Sequence, residues 1–327
     1  MSRTMGKGAS KVMRRIPASI GTNAGLALAR YVPWKLDVSK DEKTRQRFFQ
    51  DVVAIPCSDD YESAFDRWKK AMEARKALRV TAELGGPLAV GLGNESAYEV
   101  GLTLHRIYGA PAIPGSAIKG ACRRTAIGQQ ELDSIFGTLE SSGGIVFHDA
   151  WYVPNSKRGP LACDTVTVHH PNYYQSASNR PWPTDFDDPV PVSFVSVPAG
   201  AQFFFAIEIA EVDEHWRNFV EELLKRTLTE TGLGGKTNAG YGWFHEDITF
   251  DWPKSLPEQA EPYRRDIESL NNNTLGGIAD RLKSIEPVEL KRYVALAYKE
   301  RVEKWLKKWT KDTEGKPWRV AIEEAII

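Results

Sequence analysis

Three stretches of the chain place reactive or ligand-binding residue types at spacings that could do chemistry. The first is Pro114-Gly115-Ser116-Ala117-Ile118-Lys119-Gly120-Ala121-Cys122-Arg123. Pro-Gly forces a turn, and Ser116 then reads as the N-cap of a helix whose first N–H groups face outward, a setting that attracts phosphate. Lys119 and Arg123 lie four residues apart, share a face, and could hold successive phosphates above Ile118 and Cys122. The same residues also fit a capped surface helix with two solvated cations.

The second stretch is Gly232-Leu233-Gly234-Gly235-Lys236-Thr237-Asn238-Ala239-Gly240-Tyr241-Gly242. It is not a nucleotide-binding P-loop, because Glu230 stands where the first glycine is required and a strand is expected to follow. The dinucleotide pattern fails as well, at Thr237. What remains is a helix-to-strand loop with five glycines and one lysine, whose backbone can approach an extended ligand closely. A flexible surface connection is the other reading. The third stretch runs from His169-His170-Pro171-Asn172-Tyr173-Tyr174 to Arg180-Pro181-Trp182-Pro183. It reads either as a projecting hairpin whose aromatics stack on bases, or as an aromatic cluster buried under a long loop.

Signals for catalysis are weaker. His105, His148-Asp149 and Asp164 are scattered, with no nucleophile and base at a telling spacing, and His148-Asp149 reads as a structural end-cap. Adjacent residues of a strand point to opposite faces, which argues against His169 and His170 sharing a metal. His245-Glu246 begins like a zinc-protease motif, but Thr249 stands where its second histidine belongs. Cys57, Cys122 and Cys163 lie far apart and form neither a zinc knuckle nor a disulfide framework. No metal or other cofactor is expected.

The elements that must position these stretches follow from periodicity. Residues 24–32 read as a first strand, 41–55 and 60–78 as helices, and 79–84 as an alternating strand broken by Gly85-Gly86-Pro87. A helix opens near Ser116. Strands are expected at 144–153, 163–169, 190–197 and 201–210, an amphipathic helix at 212–229 and a last strand at 240–250. From residue 253 the pattern turns to helices alone, with a long one over 287–311. These readings divide the chain into a basic arm over 1–22, an α+β body over 23–252 with a helical insertion at about 40–78 and a candidate thumb hairpin at about 164–183, and a helical extension over 253–327.

The 43 basic and 43 acidic side chains of the 327 residues cancel, which excludes a uniformly cationic coat protein. The sum hides segregation: residues 1–36 carry +7, 37–290 carry −11 and 291–327 carry +4. Basic ends on an acidic body fit a protein that touches polyanion at chosen places, though a basic tail and a solvated helix would look the same. With 42 % hydrophobic residues and ten tryptophans, the chain can bury one large core or two ordinary ones. No apolar run reaches membrane-span length, and Met1-Ser2-Arg3-Thr4 leads into no signal sequence. A soluble cytoplasmic protein that avoids membranes is expected.

Taken in order, several motifs resemble the RAMP superfamily of CRISPR-associated proteins, most closely the sixth-subunit family of type III-B (Cmr) RNA-guided effector complexes. They are Glu99-Val100-Gly101-Leu102-Thr103-Leu104-His105, Tyr108 through Gly120, Phe147-His148-Asp149-Ala150, His169 through Tyr174, Pro189 through Phe194, and Gly232 through Gly242. The resemblance spans about 23–250. It implies an RRM-like, ferredoxin-like βαββαβ core with insertions, and a non-catalytic, antiviral role in holding the crRNA guide near its 3′ end. Implied partners are the guide, the target RNA, a backbone RAMP subunit, a small helical subunit and a 3′-capping RAMP subunit.

On this resemblance Arg30, Ser116, Lys119, Arg123, Gly234, Gly235, Lys236, Thr237, Asn238 and Tyr241 line the RNA track, and His169, Tyr173 and Tyr174 belong to the thumb. Asp37 is a weak match to the aspartate with which backbone subunits cut target RNA. The crRNA-processing relatives carry an N-terminal histidine, whereas the first histidine here is His105. The alternative is an endoribonuclease using His105, His148 or Asp149.

Overall fold

A computed structural model describes residues 23–30, 42–94, 101–128, 132–156, 158–175, 182–209 and 214–327. The expected basic arm, Asp37, Glu99-Val100 and Arg180-Pro181 lie outside the described residues. The chain divides into two compact units, one up to Trp252 and one from Pro253 to Ile327.

The first unit begins with helices α1 (Ala24–Arg30), α2 (Glu42–Val53) and α3 (Asp59–Ala74). The expected strand at 24–32 is therefore corrected to a helix over its described part. Asn23 is the reason: its Oδ1 accepts from Leu26 N at 2.9 Å and its carbonyl from Ala27 N at 2.9 Å, an N-cap that starts a helix. Ala24 and Ala27 then pack at helical spacing with Phe48, Phe49, Val52, Leu161 and Val195.

The remaining elements of this unit are β1 (Leu78–Glu83), β2 (Ala112–Ile113), α4 (Gly115–Thr125), α5 (Leu132–Phe136), β3 (Ile145–Phe147), β4 (Ala150–Tyr152), β5 (Ala162–Val168), α6 (Pro171–Gln175), β6 (Val190–Ser196), β7 (Gln202–Ile209), α7 (Glu214–Arg226) and β8 (Thr249–Asp251). One antiparallel sheet runs in the order β2-β4-β7-β1-β8, with β3 also on β7. Strand β1 alternates, with Leu78, Val80 and Ala82 buried and Arg79, Thr81 and Glu83 half-exposed. Strand β7 does not alternate, because both its faces are covered. Phe203, Phe205 and Ile207 meet Ile118, Cys122, Val220 and Leu224 of α4 and α7. Phe204 and Ala206 meet Phe65 and Met72 of α3. That explains the uninterrupted apolar run, since a strand buried twice needs apolar residues at every position.

Three expected boundaries are corrected here. The strand expected at 144–153 is broken at His148-Asp149 into β3 and β4. The strand expected at 240–250 shrinks to β8, preceded by an isolated bridge between Leu84 and Phe244. The hairpin of β5 and β6 spans 162–196 in full register, from Ala162 opposite Ser196 to Val168 opposite Val190, and so reaches beyond 164–183 at both ends.

The second unit is helical: α8 (Leu256–Glu268), α9 (Ile278–Lys283), α10 (Val288–Glu300) and α11 (Pro317–Ile326). Ser255 and Glu258 form a capping box at the start of α8. Ile278, Leu282, Val294, Tyr298, Val302 and Ile322 form its core. The helix expected over 287–311 is shorter, because a turn of π-helix at Arg301–Trp305 ends it and Lys307 adopts a left-handed conformation. Among the described residues no helix is long and apolar enough to cross a membrane.

Candidate functional site

The glycine-rich segment leaves α7 through a turn of π-helix at Thr227–Thr231, in which the Thr227 hydroxyl donates to Leu223 O at 2.7 Å. Such back-bonding loosens the regular ladder and lets the chain turn off the helix. Gly232 takes φ +73° and its N–H returns to Thr227 O. The loop then lies along the chain that follows β1. Gly235 N donates to Ala89 O at 2.8 Å, Gly242 N to Pro87 O at 2.7 Å and His245 N to Glu83 O at 2.9 Å.

These contacts explain most of the glycines. A Cβ on Gly234 would stand 2.6 Å from Ala89 O, and one on Gly242 would stand 1.9 Å from Leu233 O. The close approach expected toward a ligand is therefore made first to the protein's own backbone. Gly240 is different: at φ +84° it is exposed, and a Cβ there would meet nothing within 4 Å.

Lys236 stands at the crest of this loop, exposed, at φ +62° and ψ +29°. Left-handed backbone disfavours any side chain, yet a lysine occupies it where four of its neighbours are glycine. A short 3-10 turn, Thr237–Ala239, follows, with half-buried Thr237 and exposed Asn238. Tyr241 turns away from this crest and donates its hydroxyl to Asp164 Oδ2 on β5 at 2.6 Å. Burial raises the phenol pKa, and the Asp164 carboxylate raises it further.

The loop is thus tied to the β5–β6 hairpin, whose far end carries exposed aromatics. Tyr174 is 69 % exposed, Trp182 86 % and Phe186 95 %. Tyr173 and Tyr174 sit on α6 and meet edge to face at 5.4 Å. His169 is exposed beside them. His170 Nδ1 contacts Asp187 Oδ2 at 2.8 Å, closing the base of this excursion, and that hydrogen bond lowers the Asp187 pKa. Of the two readings of the aromatics, projection fits Tyr174 and Trp182. Phe186 was not singled out from sequence, although an aromatic among three aspartates at a loop tip carries the same signal.

Helix α4 departs from expectation in two ways. Its N-cap is Pro114, not Ser116, which lies exposed inside the first turn. The Gly115 N–H is not presented to a ligand, because Asp149 Oδ1 accepts it at 2.7 Å. A Cβ on Gly115 would press to 2.1 Å from Phe147 O, so the helix start is seated on β3. Arg123 is also committed, pairing with Asp133 Oδ1 at 3.2 Å and donating to Gly137 O. The expected phosphate pair of Lys119 and Arg123 is accordingly reduced to Lys119, half-buried and without a side-chain partner among the described residues. Thr125 Oγ1 meets Thr231 Oγ1 at 2.8 Å, joining α4 to the root of the glycine loop. Arg30 ends α1, and its side chain is not among those described.

The residues of the nuclease alternative have structural engagements. His105 packs against Tyr108 at a tilt and against Trp151 edge to face, with ring centroids 4.8 and 4.7 Å away, and burial lowers its pKa while Asp149 opposes the shift. His148 Nε2 lies 2.6 Å from Glu208 Oε1, which Arg75 also holds at 2.5 Å, and Trp68 meets the imidazole edge to face. Asp149 is the α4 cap. Among the described residues there is no group of three or more His, Cys, Asp or Glu that could hold a metal ion.

The unit thus joins a glycine-bounded crest that carries Lys236 to a separate two-stranded hairpin with exposed aromatics, around one antiparallel sheet. The family model of the RAMP superfamily matches residues 81–245, just over half of the sequence, and the chain belongs to that superfamily. Within it, the likeness is to Cmr6 proteins of type III-B CRISPR systems. The chain is 27 % identical to the CRISPR system Cmr subunit Cmr6 of Pyrococcus furiosus over 245 residues, covering 56 % of this chain and 72 % of that one. To the Cmr6 subunit of Saccharolobus solfataricus it is 23 % identical over 221 residues, covering 63 % and 74 %. Its fold is similar to a chain in the cryo-EM structure of a type III-B Cmr-beta complex bound to cognate target RNA, with TM-score 0.52 and 23 % identity over 68 % of this chain and 80 % of that one. The family match ends before the helical unit begins.

Proposed function

We propose that the chain is a non-catalytic subunit of a type III-B RNA-guided effector complex that holds the crRNA guide by its backbone, near the guide's 3′ end. The observation that carries this reading is Lys236, exposed and without a side-chain partner among the described residues, at the crest of a loop whose glycines fix its backbone, within the RAMP-matched region. Lys119 supplies a second phosphate contact, and Tyr174 and Trp182 supply stacking surface. The sheet supports an RRM-like, ferredoxin-like core: β8, β1, β7 and β3/β4 lie in that order, with α4 and α7 in the crossovers between β1 and β3 and between β7 and β8. In this reading the partners are the guide, the target RNA and the neighbouring subunits of the complex: a backbone RAMP subunit, a small helical subunit and a 3′-capping RAMP subunit.

The test is RNA copurification followed by sequencing. Short RNAs that share a repeat-derived 5′ tag support the reading, and a chain that carries no such RNA when assembled with its neighbours contradicts it. The contact of His148 with Glu208 keeps one rival concrete, since a carboxylate-held imidazole can act as a general base. Incubation with crRNA precursor and with target RNA separates the two. Cleavage abolished by His148→Ala would favour an endoribonuclease.

A further inference from the structure

The helical unit from Pro253 onward lies outside the family match. Its charge is uneven, with eight basic and four acidic residues between Lys299 and Arg319. The excess gathers where α10 ends. Trp305, in the π-turn, is 72 % exposed, and the Arg301 guanidinium lies over its ring at 5.2 Å. Arg301 is itself held, donating to Glu268 O at 2.6 Å, so the ring has a fixed cationic backing on one side and solvent on the rest.

Past the tryptophan come Lys307, Lys308 and Lys311, all exposed and without an ion-pair partner among the described residues. Lys304, one residue before it, pairs with Glu300 at 2.9 Å. The backbone that carries these lysines is well tied. Lys308 N donates to Val302 O at 3.1 Å, the Thr313 hydroxyl donates to Lys308 O at 2.9 Å, and Arg319 donates to Thr310 O at 2.6 Å. Trp309 packs inward between Lys299 at 5.4 Å and Arg319 at 4.7 Å.

Lysines near a helix C-terminus interact favourably with its dipole, and that would explain their charge alone. It does not explain a large aromatic left in solvent, nor a lysine at φ +53° where glycine is the usual helix terminator. We infer that Trp305, Lys307, Lys308 and Lys311 form a second contact for single-stranded RNA, a base stacking on the indole and the lysines taking the flanking phosphates. Lysine is depleted in protein–protein interface cores, whereas sequence-tolerant RNA surfaces combine basic residues with an exposed aromatic. The inference extends the RNA reading above to the second unit.

The test titrates a labelled oligouridylate with the full chain at several salt concentrations and maps ultraviolet crosslinks by peptide. The combined Lys307→Gln, Lys308→Gln, Lys311→Gln variant should flatten the log–log salt slope by about two, at about 0.7 per phosphate contact. Trp305→Ala should weaken binding about tenfold and Trp305→Phe much less. The peptide containing Trp305 should carry an RNA adduct. All four side chains are exposed, and unchanged melting curves verify that the variants fold. Unaltered slope and affinity in these variants, with no adduct beyond residue 252, would overturn the inference, including where the lysines prove necessary for binding a protein. Lys236→Ala in the same assay reports on the glycine loop separately, so each contact can fail without the other.

Discussion

Tyr241 and Asp164 are joined by a 2.6 Å hydrogen bond that fastens the glycine loop to the β5–β6 hairpin. Residue 241 belongs to the segment that returns from α7 to the sheet, and residue 164 to a separate two-stranded ribbon. The tilted contact of the Phe194 and Tyr241 rings at 6.3 Å accompanies it. This pair ties the hairpin directly to the loop that carries Lys236, beside the packing of Val195 on α2 and the bridge of Leu88 to Val197.

Removing the hydroxyl should loosen that joint. Tyr241→Phe leaves the ring in place but removes the donor to Asp164 Oδ2, while Thr165 N still donates to Oδ1 at 2.8 Å; the expected loss is about 1.5 kcal/mol, in the range for hydrogen bonds to charged groups. Urea denaturation measures it, and a double-mutant cycle with Asp164→Ala should return most of the loss as coupling. Hydrogen exchange should quicken in 162–168 before it changes in β1 or β7.

The glycines of the loop should differ sharply in tolerance. Gly242→Ala places a methyl group against Leu233 O at φ +73°, where neither the backbone nor its partner can yield. Strain and overpacking together predict a loss of at least about 3 kcal/mol. Gly240→Ala has the same sign of φ but open space, and should lose only about 1 kcal/mol from the left-handed conformation. Thermal melting of the two variants checks the ranking.

Acid should destabilise the fold partly through His105. Burial beside Tyr108 and Trp151 holds its pKa below the usual 6.5, so the unfolded chain binds the proton more readily than the folded one. Its neutral form contributes fully above about pH 6.5, and that contribution is lost as pH falls from there through the lower folded value. His105→Phe keeps an aromatic ring against Tyr108 and Trp151 and removes the titration. Its melting temperature should fall less than that of the unsubstituted chain between about pH 7.5 and about pH 5.

Strand β7 was legible from the length and aromatic content of its apolar run around Phe203-Phe204-Phe205, since an uninterrupted run carries no period of its own. Helix α1 was misread because Ala24-Gly25-Leu26-Ala27-Leu28 alternates in size. Asn23 held the contrary signal as an N-cap, and it outweighs a weak alternation. The position of the glycine loop was legible, but its cause was not. Gly234 and Gly242 are required by contact with Ala89 and with Leu233, and nothing local in the sequence says which backbone will lie against which. The ion pair of Arg123 was illegible for the same reason, since its partner Asp133 lies in the next helix. Lys236 stands out without a structure, as a single lysine among five glycines.

If RNA is held at the crest of the glycine loop and on α4, Lys236 and Lys119 must each contribute a phosphate contact, which the salt dependence of RNA affinity for Lys236→Ala and Lys119→Ala measures. Both side chains lack partners among the described residues, so their removal should leave stability nearly unchanged. Each variant should bind RNA more weakly, uniformly across RNA sequences, with the salt slope flattened by about 0.7 per lysine. Unchanged affinity and slope in both variants would contradict it.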